Sequence, residues 1–318
     1  MQWYIERKLC PACHNSDVKT IFTASLCDTE FQDYLLKTYQ PNDITQHAEL
    51  CEAPYQLDEC LRCGIIFQRF ILNDAMMEVL YEEWITPEMS LDKEINDTNL
   101  VTFSRITQEI MTAFSFLNKP FDELEVLDFG MGWGYWCRVA ALLGAQVYGT
   151  ELSQSRLQFA QKYNIKVLTL DELEHKKFDL INTEQVFEHL PNPLETLREL
   201  REMLKPAGIV KISVPNGKFA HKILENDLWK APANDFQTIK IVAPLQHINC
   251  YQQDSLPVMA QQAGLESIQI PLWTRLSNIV GFQPVEMLRQ VSRTFRPGTY
   301  QYFRIDRCHQ PSDSGRCQ

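Results

Sequence analysis

Between Val126 and Gly134 the chain reads VLDFGMGWG, and this short run restricts the fold more than any other. Glu125 to Phe129 has the length and apolar centre of a strand, and an apolar helical run from Arg138 to Gly144 follows the glycines. Gly130, Gly132 and Gly134 remove side chains where a backbone must come close to a ligand. The helix start beyond them offers free N–H groups. Glu151 lies 21 residues beyond Gly130, at the end of the next expected strand, Gln146 to Gly149. A carboxylate there accepts hydrogen bonds from two ribose hydroxyls. Strand, glycine turn, helix, strand and acid in that order predict a βαβ unit holding a nucleoside-containing cofactor. The competing reading is a tight turn followed by a surface glutamate.

The alternation continues along the chain. Helix is expected from about Ser153 to Tyr163, and strands at Ile165 to Leu168, Phe178 to Ile181 and Ile209 to Val214. Pro193 opens another helix, with Asn192 as its cap, and Lys205 to Gly208 stop it. Tyr300 to Ile305 reads as a late edge strand. The pattern predicts an α/β fold with a mostly parallel sheet and helices on both faces. Upstream, Leu100, Phe103, Ile106, Ile110, Phe114 and Leu117 form the apolar stripe of one long helix, closed by Pro120 and capped by Asp97 or Thr98. Three parts follow from this reading: a cysteine-rich module at 1–75, a helical connector or lid at 76–120, and the α/β domain at 121–318.

The chain carries 10 cysteines, four of them in two C-x-x-C pairs, Cys10 with Cys13 and Cys60 with Cys63. Each pair aims two thiolates at one point, and two pairs make the tetrahedral sulfur site that structural zinc prefers. Gly64 follows the second pair; His14 holds the same place after the first, either adopting the glycine's conformation or competing as a ligand. Cys27, Cys51, Cys137, Cys250, Cys308 and Cys317 are expected to be reduced thiols packed as small hydrophobes.

Hydrophobic residues make up 45% of the 318, which excludes a disordered chain. With 30 basic against 41 acidic residues the net charge is −11, which argues against a nucleic-acid partner. No apolar stretch approaches the roughly 18 residues of a membrane span. The first residues lack the apolar core of a secretory signal, so a cytoplasmic chain with no membrane partner is expected.

The spacing G-x-G-x-G, preceded by Leu127-Asp128, resembles the first motif of class I S-adenosylmethionine-dependent methyltransferases. Two further segments resemble that family in the right order: Phe178 to Pro193, which contains FDLINTEQVFEHL, and Leu204 to Asn216. The resemblance implies a Rossmann-like, mostly parallel seven-stranded sheet and S-adenosylmethionine as cofactor. It implies that Gly130, Gly132 and Gly134 line the methionine part and ribose, with Asp128 supporting the loop. Glu151 would hold the ribose hydroxyls, Leu152 would lie beside the adenine, and Thr169 and Leu170 would border its edge. Glu184 and Gln185 would face the methionine end.

Joined to a zinc-ribbon-like module ending in LDECLRCGIIF, Leu57 to Phe67, this core looks like that of nucleotide-sugar and natural-product methyltransferases. Zinc is structural in that group. The implied substrate is a small metabolite such as a sugar, a nucleotide- or phosphate-linked sugar, or a natural-product intermediate. The group's sugar C-methyltransferases carry a Tyr-x-Glu-His segment whose histidine is the base. Here the matching positions read Pro244-Leu245-Gln246-His247, so the histidine is present without its two companions and the acceptor atom stays open between O, N and C.

An alcohol or amine acceptor loses a proton, and histidine suits its removal. His247 is the first candidate base and His189, just beyond the fourth strand, the second; a structural histidine is the alternative for each. His221 is a weaker third. Tyr81 and Trp84 either cover the reacting groups or pack in a core. Arg289, Arg293, Arg296, Arg304 and Arg307 either bind a diphosphate or form a solvated face. Three other functions compete: methylation of a protein or RNA, a nicotinamide oxidoreductase on the same turn, and a zinc-ribbon interaction protein. The oligomeric state is not legible.

Overall fold

The computed structural model describes residues 2–39, 44–97, 99–163, 165–173, 175–225, 239–279 and 284–306. Thr98, Arg307, Cys308 and Cys317 lie outside them. The described chain forms two units, each with its own core: residues 1–90, 187–193 and 214–259 make the first, and 91–186, 194–213 and 260–318 the second.

In the first unit, β1 (Tyr4–Glu6) pairs antiparallel with β5 (Phe70–Leu72). A four-stranded antiparallel sheet runs β11-β4-β3-β2, from Asn249–Cys250, Ile66–Gln68, Tyr55–Cys60 and Val18–Ala24. Its core gathers Leu35, Tyr39, Leu50, Tyr55, Leu57, Ile66, Leu80 and Trp84. Trp84 is only 3% exposed, so of the two readings for it the structure shows core packing. Cys27 and Cys51, expected as separate thiols, are joined as a disulfide with their Cα atoms 5.8 Å apart. No local feature around either cysteine signals that their two loops meet.

The second unit holds a seven-stranded sheet in the order β12-β13-β10-β9-β6-β7-β8. Its strands are β6 (Glu125–Phe129), β7 (Gln146–Thr150), β8 (Lys166–Val167), β9 (Phe178–Glu184), β10 (Leu204–Ser213), β12 (Leu265–Ile268) and β13 (Tyr300–Ile305). The five strands from β10 to β8 are mutually parallel, and β13 and β12 add on antiparallel. Helices Tyr135–Leu142 and Gln154–Lys162 carry the chain between the first parallel strands. β6 and β9 are buried along nearly their whole length, as central parallel strands must be. β13 was expected at an edge, but it lies between β10 and β12. Tyr300, Tyr302 and Phe303 are all buried there, so the strand is covered on both faces.

The long helix spans Leu100–Leu117, and its cap is Asn99, neither Asp97 nor Thr98. The Asn99 side-chain oxygen accepts from the N–H groups of Val101 and Thr102 at 3.0 and 3.1 Å. From β6 the chain builds outward to β7 and β8, then crosses back to β9 and β10 on the other side. Strand order therefore reverses between β6 and β9, and open α/β sheets bind ligands outside the carboxyl ends of strands at such a point.

Candidate functional site

The glycine turn leaves β6 at this reversal. Gly130, Gly132 and Gly134 take φ of 71, 56 and 71°, in the left-handed region that L side chains resist. A Cβ on Gly130 would lie 2.8 Å from Val186, and one on Gly134 2.5 Å from Ile165, so those two close the turn against its neighbours. A Cβ on Gly132 would meet nothing within 4 Å. The space over Gly132 is open to a ligand.

Glu151 faces that space. Its Oε2 accepts from the Gly132 N–H at 3.0 Å, and its Oε1 from the N–H groups of Leu152 and Ser153 at 2.8 and 3.2 Å. The Arg156 guanidinium stands 3.6 Å from Oε2. Leu152, beside it, is 85% exposed, an apolar side chain left in solvent at the lip of the turn. Thr169 caps the short helix that Leu170 opens: Glu172 accepts from the Thr169 N–H and hydroxyl at 2.8 and 3.0 Å. An acid beside a side-chain-free turn, with open space above it, fits a ribose-bearing ligand.

At the ends of the two strands flanking the reversal stand Asp128 and Glu184. Asp128 is buried; its Oδ1 accepts from the Asn182 amide at 2.7 Å and the Cys137 thiol points to Oδ2 at 3.5 Å. Burial pushes its carboxyl up to about 7, while those two donors and the nearby Lys211 ammonium pull the other way. Gln185 takes φ of 55° and folds back, its N–H and its side-chain amide both donating to the Ser213 carbonyl, at 2.8 and 3.3 Å.

In the first unit, Cys10, Cys13, Cys60 and Cys63 converge with their sulfurs within 4.8 Å of one another. Three of the separations are 3.6 Å. A zinc–sulfur bond of about 2.3 Å requires tetrahedral edges of about 3.8 Å, so the donor set fits zinc. The knuckles are alike: His14 and Gly64 take φ of 54 and 72° and donate N–H to the Cys10 and Cys60 carbonyls, each at 2.9 Å. His14 therefore fills the glycine's place in the turn, and it is not among the metal-ligating cluster.

His247 sits in a loop fixed by buried polar side chains. The Gln68 amide donates to the Ala243 and His247 carbonyls at 2.9 and 3.1 Å, and its oxygen accepts from the Leu245 N–H at 3.3 Å. Tyr39 donates to the Pro244 carbonyl at 2.7 Å, and Tyr55 to that of Val242. Arg7, fully within the fold, donates to the Ile248 carbonyl at 2.7 Å and the Asn249 side chain at 2.8 Å. The His189 ring lies 4.8 Å from that of His247, centroid to centroid. Its Nδ1 is 3.0 Å from the Tyr81 hydroxyl and 2.9 Å from the Gln246 carbonyl. Glu188, 1% exposed, approaches its Nε2 at 3.8 Å. The two candidate histidines and Tyr81 are thus one cluster, although 108 residues separate Tyr81 from His189.

His221 instead pairs with Glu59 at 3.0 Å and is half-exposed. Of the late basic run, Arg289 pairs with Glu286, Arg293 with Glu109 and Arg304 with Glu266. Sequence reasoning missed Lys211, Asn182 and Glu109, which lie directly behind Asp128 and Glu184. The available signal was Lys211 itself, a lone charge inside the apolar run from Ile209 to Val214.

The methyltransferase domain family matches residues 102–270, just over half the chain. Among curated relatives, the ubiquinone biosynthesis O-methyltransferase of Dinoroseobacter shibae is 28% identical over 212 residues, covering 61% of this chain and 82% of the relative. The protein of that name from Cereibacter sphaeroides is 30% identical over 155 residues, covering 45% of this chain and 62% of the relative. A solved plantazolicin methyltransferase in complex with SAH is 17% identical with a TM-score of 0.47, covering 73% of this chain and 95% of that one. Among the described residues no helix is long and apolar enough to cross a membrane. With the reversal point, the open glycine turn and the acid beside it in place, the match over 102–270 identifies the chain as a member of the methyltransferase domain family, an S-adenosylmethionine-dependent methyltransferase.

Proposed function

We propose that this enzyme methylates a hydroxyl oxygen of a small metabolite in the cytoplasm. The observation that carries the acceptor atom is the name shared by its relatives, ubiquinone biosynthesis O-methyltransferase. The pairing of His189 with His247 agrees with it, since a neutral imidazole takes the proton that a hydroxyl must lose. A sugar, nucleotide-sugar or related natural-product intermediate is the favoured acceptor, a reading supported by the four-cysteine cluster, which resembles the zinc module of such enzymes. Zinc, held by Cys10, Cys13, Cys60 and Cys63, would be structural, organising the module at 1–75; 76–120 would serve as connector and 121–318 as the catalytic domain.

S-adenosylmethionine, when bound, would supply a methyl carbon on a sulfonium, which an in-line nucleophile takes as the neutral thioether leaves. Gly132 leaves room for the cofactor, Glu151 accepts from its ribose hydroxyls, and Leu152 flanks the adenine; the side chain of Leu170, expected at the adenine edge, lies outside the described ones. Glu184 and Gln185 receive the amino-acid end, and the buried Asp128 supports the loop behind them. On the acceptor side His247 removes the hydroxyl proton. His189, turned by Tyr81 and the Gln246 carbonyl, supports the charged imidazole beside it. Positioning supplies much of the rate in such a transfer.

The test incubates purified protein with methyl-labelled S-adenosylmethionine and an extract of the source cells, then separates the products by size. Label in small molecules is expected, and their mass identifies the acceptor. Label confined to protein or RNA would overturn the substrate class and leave the chemistry standing.

A further inference from the structure

Lys211 stands near the carboxyl end of β10, directly opposite Asn182 of the parallel neighbour β9. It is only 3% exposed, an unusual place for an ammonium. Its Nζ donates to the Asn182 side-chain oxygen at 2.9 Å and to Glu184 Oε2 at 2.5 Å. Glu109 Oε2, from the long helix, lies 3.8 Å away, and the ring of Tyr300 4.9 Å. Glu109 is itself held by Arg105 and Arg293 at 3.3 and 3.1 Å. Burial opposes the charge on Lys211, but Glu184 and Glu109 outweigh it and hold the group protonated above its ordinary range.

The contact has two consequences. Because the ammonium occupies the Asn182 oxygen, the amide must present its N–H groups the other way, and it donates to Asp128. The same ammonium anchors Glu184 by its Oε2, while a third of that side chain stays exposed. One buried cation thus sets the orientation of both acids at the ends of β6 and β9. Without it Asn182 is free to flip and Glu184 to rotate through its ordinary rotamers.

We propose that Lys211 is a positioning residue for the cofactor's amino-acid end: it aims the carboxylate of Glu184 at the cofactor's ammonium, holds Asp128 behind the turn through Asn182, and thereby sets cofactor affinity. The inference rests on the reading that Glu184 receives that end and Asp128 supports the loop beside it. It assigns Lys211 no part in binding the nucleoside half, which belongs to Gly132 and Glu151.

Calorimetric titration of the full chain with two probes tests it. S-adenosylmethionine carries the amino-acid end; 5′-methylthioadenosine lacks it. In Lys211→Met the S-adenosylmethionine dissociation constant is expected to rise roughly tenfold or more, the loss of a charge-assisted contact. The methylthioadenosine constant should stay within about twofold, below 0.5 kcal/mol. Lys211→Arg, which keeps the cation, should recover part of the loss. Glu184→Gln is expected to reproduce the same split with the buried lysine intact, and stands in if Lys211→Met does not fold. Equal weakening of both probes would make Lys211 merely structural, and no weakening of either would remove it from the site; both overturn the proposal. If the wild-type chain bound neither probe, the cofactor reading itself would fall, an outcome distinct from either.

Discussion

At the scale of single residues, space and charge around the turn make separable predictions. Gly132 is constrained by its φ of 56° and not by neighbours, since a Cβ there meets nothing within 4 Å. Gly132→Ala should therefore fold, losing about 1 kcal/mol to the left-handed backbone. Its methyl intrudes on the ligand's space, so cofactor affinity is expected to fall by far more than stability, read by calorimetry beside a thermal melt. Asp128 makes a prediction in pH. Its carboxyl is raised from 3.8 to about 7, chiefly by burial. Below pH 4 both folded and unfolded chains hold the proton and nothing is lost. Between pH 4 and 7 the unfolded chain ionises first, so wild-type stability falls; above 7 the penalty is constant, on the order of 4 kcal/mol. Asp128→Asn never pays this penalty. Its melting temperature relative to wild type should rise as pH goes from 4 to 8, and a difference that stays flat would show Asp128 to be ionised throughout. Glu151 and the glycines were legible because a turn and a strand end declare themselves locally. Lys211, Asn182 and Glu109 were not, because their meaning comes from register across strands and from a helix packed on them.

At the scale of elements, the sheet was read well where strands are short apolar runs, as at β6 and β9, and less well where burial depends on what packs above. β13 looked like an edge because its sequence mixes Gln301 and Arg304 with aromatics; pairing on both sides made it interior. The Leu100–Leu117 helix was plain from its stripe, yet its cap went to Asn99, a neighbour with the same chemistry as the residues favoured for it. The His247 loop was placed by resemblance, and nothing in its own sequence announces what holds it. That role belongs to Gln68, at the end of β4 and 2% exposed, which satisfies three backbone groups of residues 243–247 and supports Leu245 at φ of 68°. Gln68→Ala strands those groups, a loss of about 1–3 kcal/mol each where water does not replace the bond. The expected result is a clear fall in melting temperature and in kcat, with the S-adenosylmethionine dissociation constant unchanged. Unaltered kcat in the folded variant would mean that His247 does not depend on this loop geometry.

At the scale of the whole molecule, the first unit is assembled from three stretches of chain, 1–90, 187–193 and 214–259. No local signal could reveal this, because its last strand, β11, pairs with β4 from the other half of the sequence. The assembly ties the cysteine cluster to the candidate base. Cys60 closes β3, Cys63 precedes β4, and the Ser255 hydroxyl donates to the Cys63 carbonyl at 3.0 Å. β4 in turn carries Gln68 and pairs through Phe67 with Asn249, two residues beyond His247. If zinc occupies the cluster, removing it should loosen β4 and, with it, the loop at 243–249, because the four sulfurs then lose the cation that ties the two knuckles together and take up protons instead. Purified protein is expected to hold one zinc per chain, and Cys60→Ser none. Stripping the metal with a chelator should lower the melting temperature, expose the amides of 243–250 to hydrogen exchange and abolish methyl transfer. The glycine turn, Glu151 and the acids at the strand ends all belong to the second unit, so cofactor affinity should persist in the metal-free chain. Loss of transfer with retained cofactor binding would mark the zinc cluster as the scaffold of the acceptor side. Full transfer by metal-free protein, or a purified chain with no zinc, would remove that role from the cysteines altogether.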